Sequence, residues 1–303
     1  MVRRHNLRHL PDRFPLYCQW EITCRCNLRC VMCYTDCYNH TDKIREELTT
    51  EQILRIMDEL ADAGCLELCL TGGEPLARPD FFVLYERAIT KGFLVTLFSN
   101  GTLITDTVAD RIAALPPHAV EISLHGFTRQ TFEAVTQGHH SYARCMNAIR
   151  LLIERRVPLV LKATAMTLNR REILDVKRYV QGLGPVGFKL GEDMRPALDG
   201  SDGPFRFSLT PEEVETLNRQ DPQLSQETCQ RQSVPASPCR SGMRSFHIDA
   251  YGYLQLCSGN RTGGYDLRRG SFKEGFYGSL PTFGCPWNGK AASVLLQPSV
   301  MHA

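Results

Sequence analysis

Short runs that are apolar on both faces recur through the first two thirds of the chain, separated by stretches with a helical apolar period. The runs are YCQWEIT (17–23), LELCLTG (66–72), LVTLFSN (94–100), AVEISLHG (119–126), PLVLKATAMT (158–167) and PVGFKL (185–190). Strands without an outer polar face belong to a parallel sheet covered by helices. The intervening stretches supply those helices. TTEQILRIMDELADAG carries Thr49 and Gln52 at capping-box spacing, sets Ile53, Ile56, Met57 and Leu60 on one face, and stops at Gly64. RPDFFVLYERAITKG opens at Pro79 and closes at Gly92, and further helices fit 104–115, 141–156 and 170–183. Repeated strand–helix units of roughly thirty residues imply right-handed crossovers and a sheet that curls toward a barrel. The pattern predicts six such units, fewer than the roughly eight that close a barrel, so an open, partial (β/α)6 barrel of the α/β class is expected.

Composition narrows the function classes. The chain has 303 residues, 43% of them hydrophobic and 22% charged, enough for one sizeable core and a smaller extension. A formal net charge of +2 gives no electrostatic grip on nucleic acid or an anionic membrane. No apolar run reaches the length of about eighteen residues that a spanning helix needs. The opening MVRRHNLRHLPDRFP is basic but leads into no apolar segment, so no secretory signal is read and a cytoplasmic location is expected. In that reducing compartment the 13 cysteines are not expected to form disulfides, and those that cluster are expected to hold metal.

The cysteines concentrate in CRCNLRCVMCYTDC, residues 24–37, in the loop after the first strand. Active sites of such folds form at the carboxyl ends of the strands, where this loop lies. Cys26, Cys30 and Cys33 make C-x3-C-x2-C. Three thiolates on one loop can ligate three irons of a cubane and leave the fourth iron open to a small molecule. The spacing is neither that of a zinc finger nor the usual ferredoxin run, although a structural zinc site or scattered buried cysteines is the alternative. Cys30, Cys33 and Cys37 form the reversed spacing; Cys24 and Cys37 are read as non-ligands, and Cys18, Cys65, Cys69 and Cys145 as core thiols. After the second strand comes TGGEP, where Gly72 and Gly73 would let the backbone approach a ligand and Glu74 would place a carboxylate beside it, a setting suited to an ammonium. The third and fourth strands end in SNGT and SLHG, offering Ser99, Asn100, Ser123 and His125. Lys162 is polar in an otherwise apolar fifth strand, either pointing into the barrel or snorkelling to the surface. His139 and His140 are read as a solvated turn, and Asp193 and Arg195 as candidates for the cavity lining.

CNLRCVMCY resembles the cluster-binding loop of the radical S-adenosylmethionine (radical SAM) superfamily, whose partial six-unit barrel matches the pattern above. The resemblance implies that Cys26, Cys30 and Cys33 hold a [4Fe-4S] cluster whose unique iron chelates the amino and carboxylate groups of SAM. It makes Gly72, Gly73 and Glu74 the element that binds the SAM amino group, and Ser99, Asn100 and Ser123 the contacts to ribose and carboxylate. Lys162 would reach the SAM carboxylate. Met32 stands where relatives carry an aromatic residue, at a position whose family contact is largely backbone to adenine. Relatives often have Asp or Tyr at the position of His125, whose role is open.

The last third changes character at about residue 195. RPALDGSDGPFRF reads as a linker and TPEEVETLNRQ as a helix capped by Thr210. CRSGMRSFHIDAYGYLQLC then places Cys239 and Cys257 at the ends of a hairpin around the DAYG turn. That spacing resembles the opening half of the SPASM or twitch extension, which carries auxiliary iron–sulfur clusters in radical SAM enzymes that modify peptides. Cys229 and Cys285 are the available fourth-ligand completions. The run that binds a second auxiliary cluster in longer relatives is missing, so at most one auxiliary [4Fe-4S] cluster is expected. The domains read as a barrel core (1–195), a linker and helix (196–228), and a shortened SPASM/twitch-like domain (229–303).

The function so implied is reductive cleavage of SAM at the [4Fe-4S] cluster to a 5′-deoxyadenosyl radical, which abstracts hydrogen from a peptide or protein substrate, with an electron donor such as flavodoxin or ferredoxin. The alternatives are a dehydrogenase of a small molecule with one auxiliary cluster, and a non-catalytic iron–sulfur protein for electron transfer or regulation. Gly72 to Glu74 argues against the last, which needs no ammonium site. No nucleic-acid or membrane partner is expected.

Overall fold

The apolar runs fold as strands that bury alternate side chains against the helices, even-numbered in β1 and odd-numbered in β3 and β5. The computed structural model describes residues 11–35, 41–191, 194–221, 241–259, 261 and 263–284. Strands β1 (Tyr17–Thr23), β2 (Glu67–Gly72), β3 (Leu94–Ser99), β4 (Ala119–Ser123), β5 (Leu159–Thr164) and β6 (Gly187–Gly191) follow in chain order. Each pairs parallel with the next. The six-unit parallel sheet expected from the sequence is therefore present. Helices α1 (Thr50–Asp62), α2 (Phe81–Thr90), α3 (Asp106–Ala114), α4 (Arg129–Thr136), α5 (Ser141–Glu154), α6 (Ile173–Gln181) and α7 (Pro211–Gln220) are the α-helices described, with short 3-10 turns at Thr41–Glu46, Pro75–Ala77 and Gly203–Phe207.

Local chemistry sets the helix ends. Thr49 and Gln52 close a capping box at α1, as Thr210 and Glu213 do at α7. Behind the strands, Trp20, Ile22, Leu68, Leu70, Leu97, Val120, Ile122 and Leu161 are buried against Ile53, Ile56, Met57, Leu60, Tyr85, Ile149 and Leu152. The opposite face departs from the both-faces-apolar reading. Gln19, Thr71, Ser123, Lys162, Thr164 and Lys189 face a cavity, and Glu21 and Glu121 are buried charges on the same side. A sheet curled around a polar interior alternates; its apolar runs were a mixture of core positions and cavity positions.

The short helix α4 was not foreseen. Only eight residues long, it is capped by Thr128, whose side chain accepts from the Thr131 N–H, and it buries Phe132, Val135 and Thr136. Gln137 and His140 leave it in left-handed conformations, with φ of 53° and 59°. Propensity over so short a stretch is weak, and tertiary packing decides.

The hairpin expected around DAYG forms as β7 (Ser245–Ile248) and β8 (Tyr253–Gln255), followed by β9 (Tyr265–Asp266). The Asp249 carboxylate accepts the N–H groups of Tyr251 at 3.0 Å and Tyr253 at 2.9 Å, and Gly252 takes a φ of +88° that an L side chain rarely adopts. The hairpin is not a separate sheet. β7 pairs parallel with β1, Tyr17 opposite Ser245 and Trp20 opposite Ile248, so one nine-stranded sheet runs β6-β5-β4-β3-β2-β1-β7-β8-β9. Phe246 locks it there, its ring 5.0 Å from Phe272 and 5.4 Å from Phe276.

Because Phe246 is fully buried in that aromatic group, Phe246→Ala is expected to destabilise the whole fold by about 3–5 kcal/mol. Urea unfolding should show a single transition at a lower midpoint; a local loss near the hairpin with the barrel transition unmoved would contradict the shared sheet.

Candidate active site

A cavity of about 990 Å³ lies at the carboxyl ends of the parallel strands. Cys26, Met32, Cys30 and Cys33 from the loop after β1 line it. So do Gly72 and Gly73 after β2, Ser99 and Asn100 after β3, Ser123 and His125 at β4, and Lys162 on β5. Among the described residues, every candidate for binding the cluster or SAM in the barrel except Glu74 stands on this wall. Arg195 lines the same cavity and donates to Ser258 Oγ at 3.2 Å.

The cysteine loop is held from both ends. At its start Glu47 accepts from Thr23 Oγ1 at 2.8 Å, from the Cys24 N–H at 2.7 Å and from Cys24 Sγ at 3.0 Å. Buried Arg78 donates to the carbonyls of Ile22 at 2.7 Å and Leu48 at 2.9 Å. Cys24 is thus turned toward Glu47 rather than the cavity, and burial together with that carboxylate pushes its thiol pKa up to about 12. In the middle of the loop, the N–H groups of Arg29 and Val31 donate to the carbonyls of Thr136 and Val135, at 3.1 and 2.9 Å. These are carbonyls at the end of α4, which a helix leaves without partners of its own. The Cys33 N–H donates to the Cys30 carbonyl at 3.0 Å, a tight turn between two of the three cysteines.

Among the described residues no three His, Cys, Asp or Glu side chains converge on a point that would hold a single metal ion. Cys26, Cys30 and Cys33 line one cavity, and three thiolates on one loop can ligate three irons of a cubane.

The paired glycines have a reason the sequence reading missed. A Cβ on Gly72 would stand 2.2 Å from the Thr23 carbonyl oxygen, and one on Gly73 2.3 Å from that of Arg25. The Gly73 N–H donates to Thr23 O at 3.0 Å and the Glu74 N–H to Arg25 O at 2.7 Å. The close approach that demands glycine is therefore to the chain's own cysteine loop, which these two residues support from below while also lining the cavity.

Glu74 differs from expectation. It is fully buried and is not among the residues that line the cavity. Its oxygens accept from Ser99 Oγ at 2.9 Å, the Asn100 N–H at 2.7 Å and the Leu76 N–H at 3.3 Å. Burial raises its pKa to about 7 against those hydrogen bonds. Its part is to fix the end of β3. From there Asn100 Nδ2 donates to Asn27 Oδ1 at 3.0 Å, Asn27 Nδ2 to Thr102 Oγ1 at 2.7 Å, and Thr102 Oγ1 to Asn100 Oδ1 at 2.6 Å. This closed ring returns to the cysteine loop, because Asn27 lies between Cys26 and Cys30. Asn27 and Thr102 were not among the sequence candidates; their polar side chains inside or beside motifs were the only signal. Glu47 and Arg78 gave none.

Lys162 points into the barrel, not to the surface. Its Nζ lies 3.6 Å from Glu121 Oε2 and 3.1 Å from the centroid of Phe98, and burial lowers its pKa to about 8 against the pull of Glu121. Lys189 also pairs with Glu121. Near β7, Glu21 is held by Arg261 at 2.9 Å with His247 Nε2 at 3.7 Å. Burial alone would raise the Glu21 pKa, but these two neighbours outweigh it and bring it to about 2.

Cys18, Cys65, Cys69 and Cys145 are buried, as read. His139 and His140 are exposed in the turn after α4. Cys257 is half-buried just beyond β8 and is not on the cavity wall. Cys37, Asp193, Cys229, Cys239 and Cys285 lie outside the described residues.

A family model described as the radical SAM superfamily matches residues 20–180, which span β1 to α6. The chain belongs to the radical SAM superfamily. The cofactors of that family are a [4Fe-4S] cluster and SAM. Among curated relatives, the mycofactocin maturase MftC of Mycobacterium tuberculosis is 36% identical over 189 residues, 62% of this chain and 47% of its own. The sporulation killing factor maturation protein SkfB of Bacillus subtilis is 25% identical over 261 residues, 84% and 62%. The AdoMet-dependent heme synthase of Methanosarcina barkeri is 30% identical over 174 residues, 57% and 49%. The radical SAM chain described here thus spans 47% to 62% of the length of these relatives. Of solved structures, Streptococcus suis SuiB bound to precursor peptide SuiA superposes with a TM-score of 0.71 at 15% identity, covering 94% of this chain and 70% of that one. At that identity the likeness is one of fold, and it includes the C-terminal strands.

Two outcomes follow from the loop contacts. Gly73→Ala sets a methyl against backbone that no rotamer change can relieve, a cost of about 1–3 kcal/mol, and should lower the iron retained per chain after anaerobic reconstitution. For Glu74, a folded pKa near 7 against about 4.3 unfolded means its contribution to stability is full below pH 4.3 and is lost as pH rises toward 7. Glu74→Gln should therefore flatten the pH dependence of the urea midpoint between pH 5 and 7; an unchanged slope would refute the assignment.

Proposed function

We propose that this chain is a radical SAM enzyme acting on a peptide or protein substrate. The observation that carries it is that Cys26, Cys30 and Cys33 share one cavity with the ends of β2, β3 and β4. In this reading the three thiolates hold the [4Fe-4S] cluster, and Gly72, Gly73, Ser99, Asn100, Ser123, Lys162 and Met32 contact SAM. Glu74 acts through Ser99 and Asn100. With an electron from an external donor, cluster and SAM when bound would supply reductive, one-electron cleavage of the sulfonium and with it hydrogen-atom abstraction from the substrate.

The protein's own work is positioning and exclusion of water. Glu47, Arg78 and the α4 carbonyls hold the cysteine loop rigid, and the Asn27–Asn100–Thr102 ring sets its distance from β3. Lys162, kept inside the barrel by Glu121 and Phe98, offers a cation to a carboxylate of SAM. Walls drawn from the ends of several strands keep the reacting C–H bond away from bulk solvent.

A peptide substrate is supported by the relatives named as maturases and by the fold shared with SuiB, whose structure holds a precursor peptide. The reading further includes one auxiliary cluster held by Cys257 with Cys239, Cys229 and Cys285, a flavodoxin or ferredoxin as electron donor, and a cytoplasmic location. Among the described residues no helix is long and apolar enough to cross a membrane.

Anaerobic reconstitution with iron and sulfide, followed by dithionite and SAM, should yield 5′-deoxyadenosine. Cys30→Ala should abolish that product. SAM cleavage that survives the substitution, or zinc binding without cleavage, would overturn the assignment.

A further inference from the structure

The sheet ends at β6, and that end is open. Among the described residues β6 pairs only with β5, and Gly187, Lys189 and Gly191 are exposed. The Ala165 N–H donates to the Gly191 carbonyl at 2.7 Å, so Gly191 turns its backbone toward β5. Along a strand of a parallel ladder, successive residues alternate in the side to which their N–H and C=O point. Lys189 therefore also bonds inward, and Phe188 and Leu190 present their N–H and C=O groups to the outside. An exposed edge of this kind is normally blocked by a proline or by a charge lying along it. β6 contains no proline, and its one charge, Lys189, is drawn off to Glu121.

The cavity that holds the cysteines does not stop at this strand. It continues around β6 to the side of α6, where Val180, Val186, Phe188 and Leu190 line it, while Lys189 stands on the inner side. One continuous space thus joins an apolar groove, an outward-facing row of backbone donors and acceptors, and Cys26, Cys30 and Cys33. A small cofactor has no use for a strand edge. An extended peptide has.

We infer that the substrate peptide binds as an added strand on the outer edge of β6. The inference deepens the functional reading above and rests on it. Strand addition takes its affinity from main-chain hydrogen bonds and its specificity from sites for alternate side chains. One set of side chains on the added strand faces the cavity beside Lys189, and the other faces the groove of Val180 and Phe188. The residue that reacts must face the cavity, so its two neighbours in sequence face the groove. The substrate therefore carries apolar residues on either side of its reacting residue.

The probe is a hexapeptide of alternating valine and threonine, blocked at both ends and offered to the cluster-loaded protein with SAM under anaerobic conditions. Binding should slow hydrogen exchange at the Phe188 and Leu190 amides by about tenfold or more and leave Lys189 and Gly191 unchanged. Calorimetry then compares peptides N-methylated on one alternate set of amides or on the other. An added strand uses every second amide, so one methylation should abolish binding and the other should leave it within about threefold. Leu190→Pro removes an outward N–H that β5 does not use, and should weaken binding about tenfold at the same iron content. Should that variant fold poorly, the methylated peptides carry the comparison on the wild-type protein. Unchanged exchange at Phe188 and Leu190, equal affinity of the two methylated peptides, or no binding of the hexapeptide overturns the inference. Formation of 5′-deoxyadenosine by the same preparation then leaves the functional reading in place. A cluster-loaded protein that cleaves no SAM overturns that reading and the inference with it.

Discussion

The structure depends on one contact of backbone on backbone. The turn at Gly72–Gly73 lies directly beneath Thr23, Cys24 and Arg25, closer than any side chain would allow, and two N–H groups bond upward into the cysteine loop. Everything that shapes the site is arranged around this contact. Glu47 and Arg78 fix the loop's entrance, α4 supports its middle, and Glu74 carries the connection on to β3. From β3 the Asn27–Asn100–Thr102 ring leads back to the loop, so the first three loops form one hydrogen-bonded circuit. Each hydrogen bond is worth only about 1 kcal/mol net, but in a closed circuit none can be lost without straining the others.

Much of this architecture is legible in the chain itself. Six apolar runs at regular spacing become six parallel strands, and the C-x3-C-x2-C stretch falls at their carboxyl ends because loops of that fold class open there. The residues around the cavity were legible only by type. Gly72 and Gly73 were read as a close approach to a ligand; the structure adds a close approach to Thr23 and Arg25 that the sequence did not reveal. Glu74 was read as a carboxylate for an ammonium; in the structure it is buried and accepts from Ser99 and Asn100. A single sequence shows that a carboxylate is present but not which way it turns, since that depends on Ser99 and Asn100, some twenty-five residues away. α4 escaped notice for a related reason: its eight residues hold together by burying Phe132 and Val135 and by bonding the cysteine loop, interactions that no local period reveals.

The barrel interior shows what a polar core requires. Glu121 is shared by Lys162 and Lys189, and Glu21 by Arg261 and His247. Buried charges of this kind stabilise little in net terms, yet removing one partner is costly, so they hold their neighbours to one arrangement. Here they hold a lysine inside a barrel where it would otherwise reach for water.

The docking of β7 beside β1 has a further meaning for folding. Were the last third detached, β1 would become a bordering strand with unpaired amides beside the very loop that carries the cysteines. Such a border invites pairing with another molecule, and aggregation with it. The C-terminal hairpin thus shields the strand on which the cysteine loop is built, keeping the nascent barrel from being zipped to a stranger before its metal arrives.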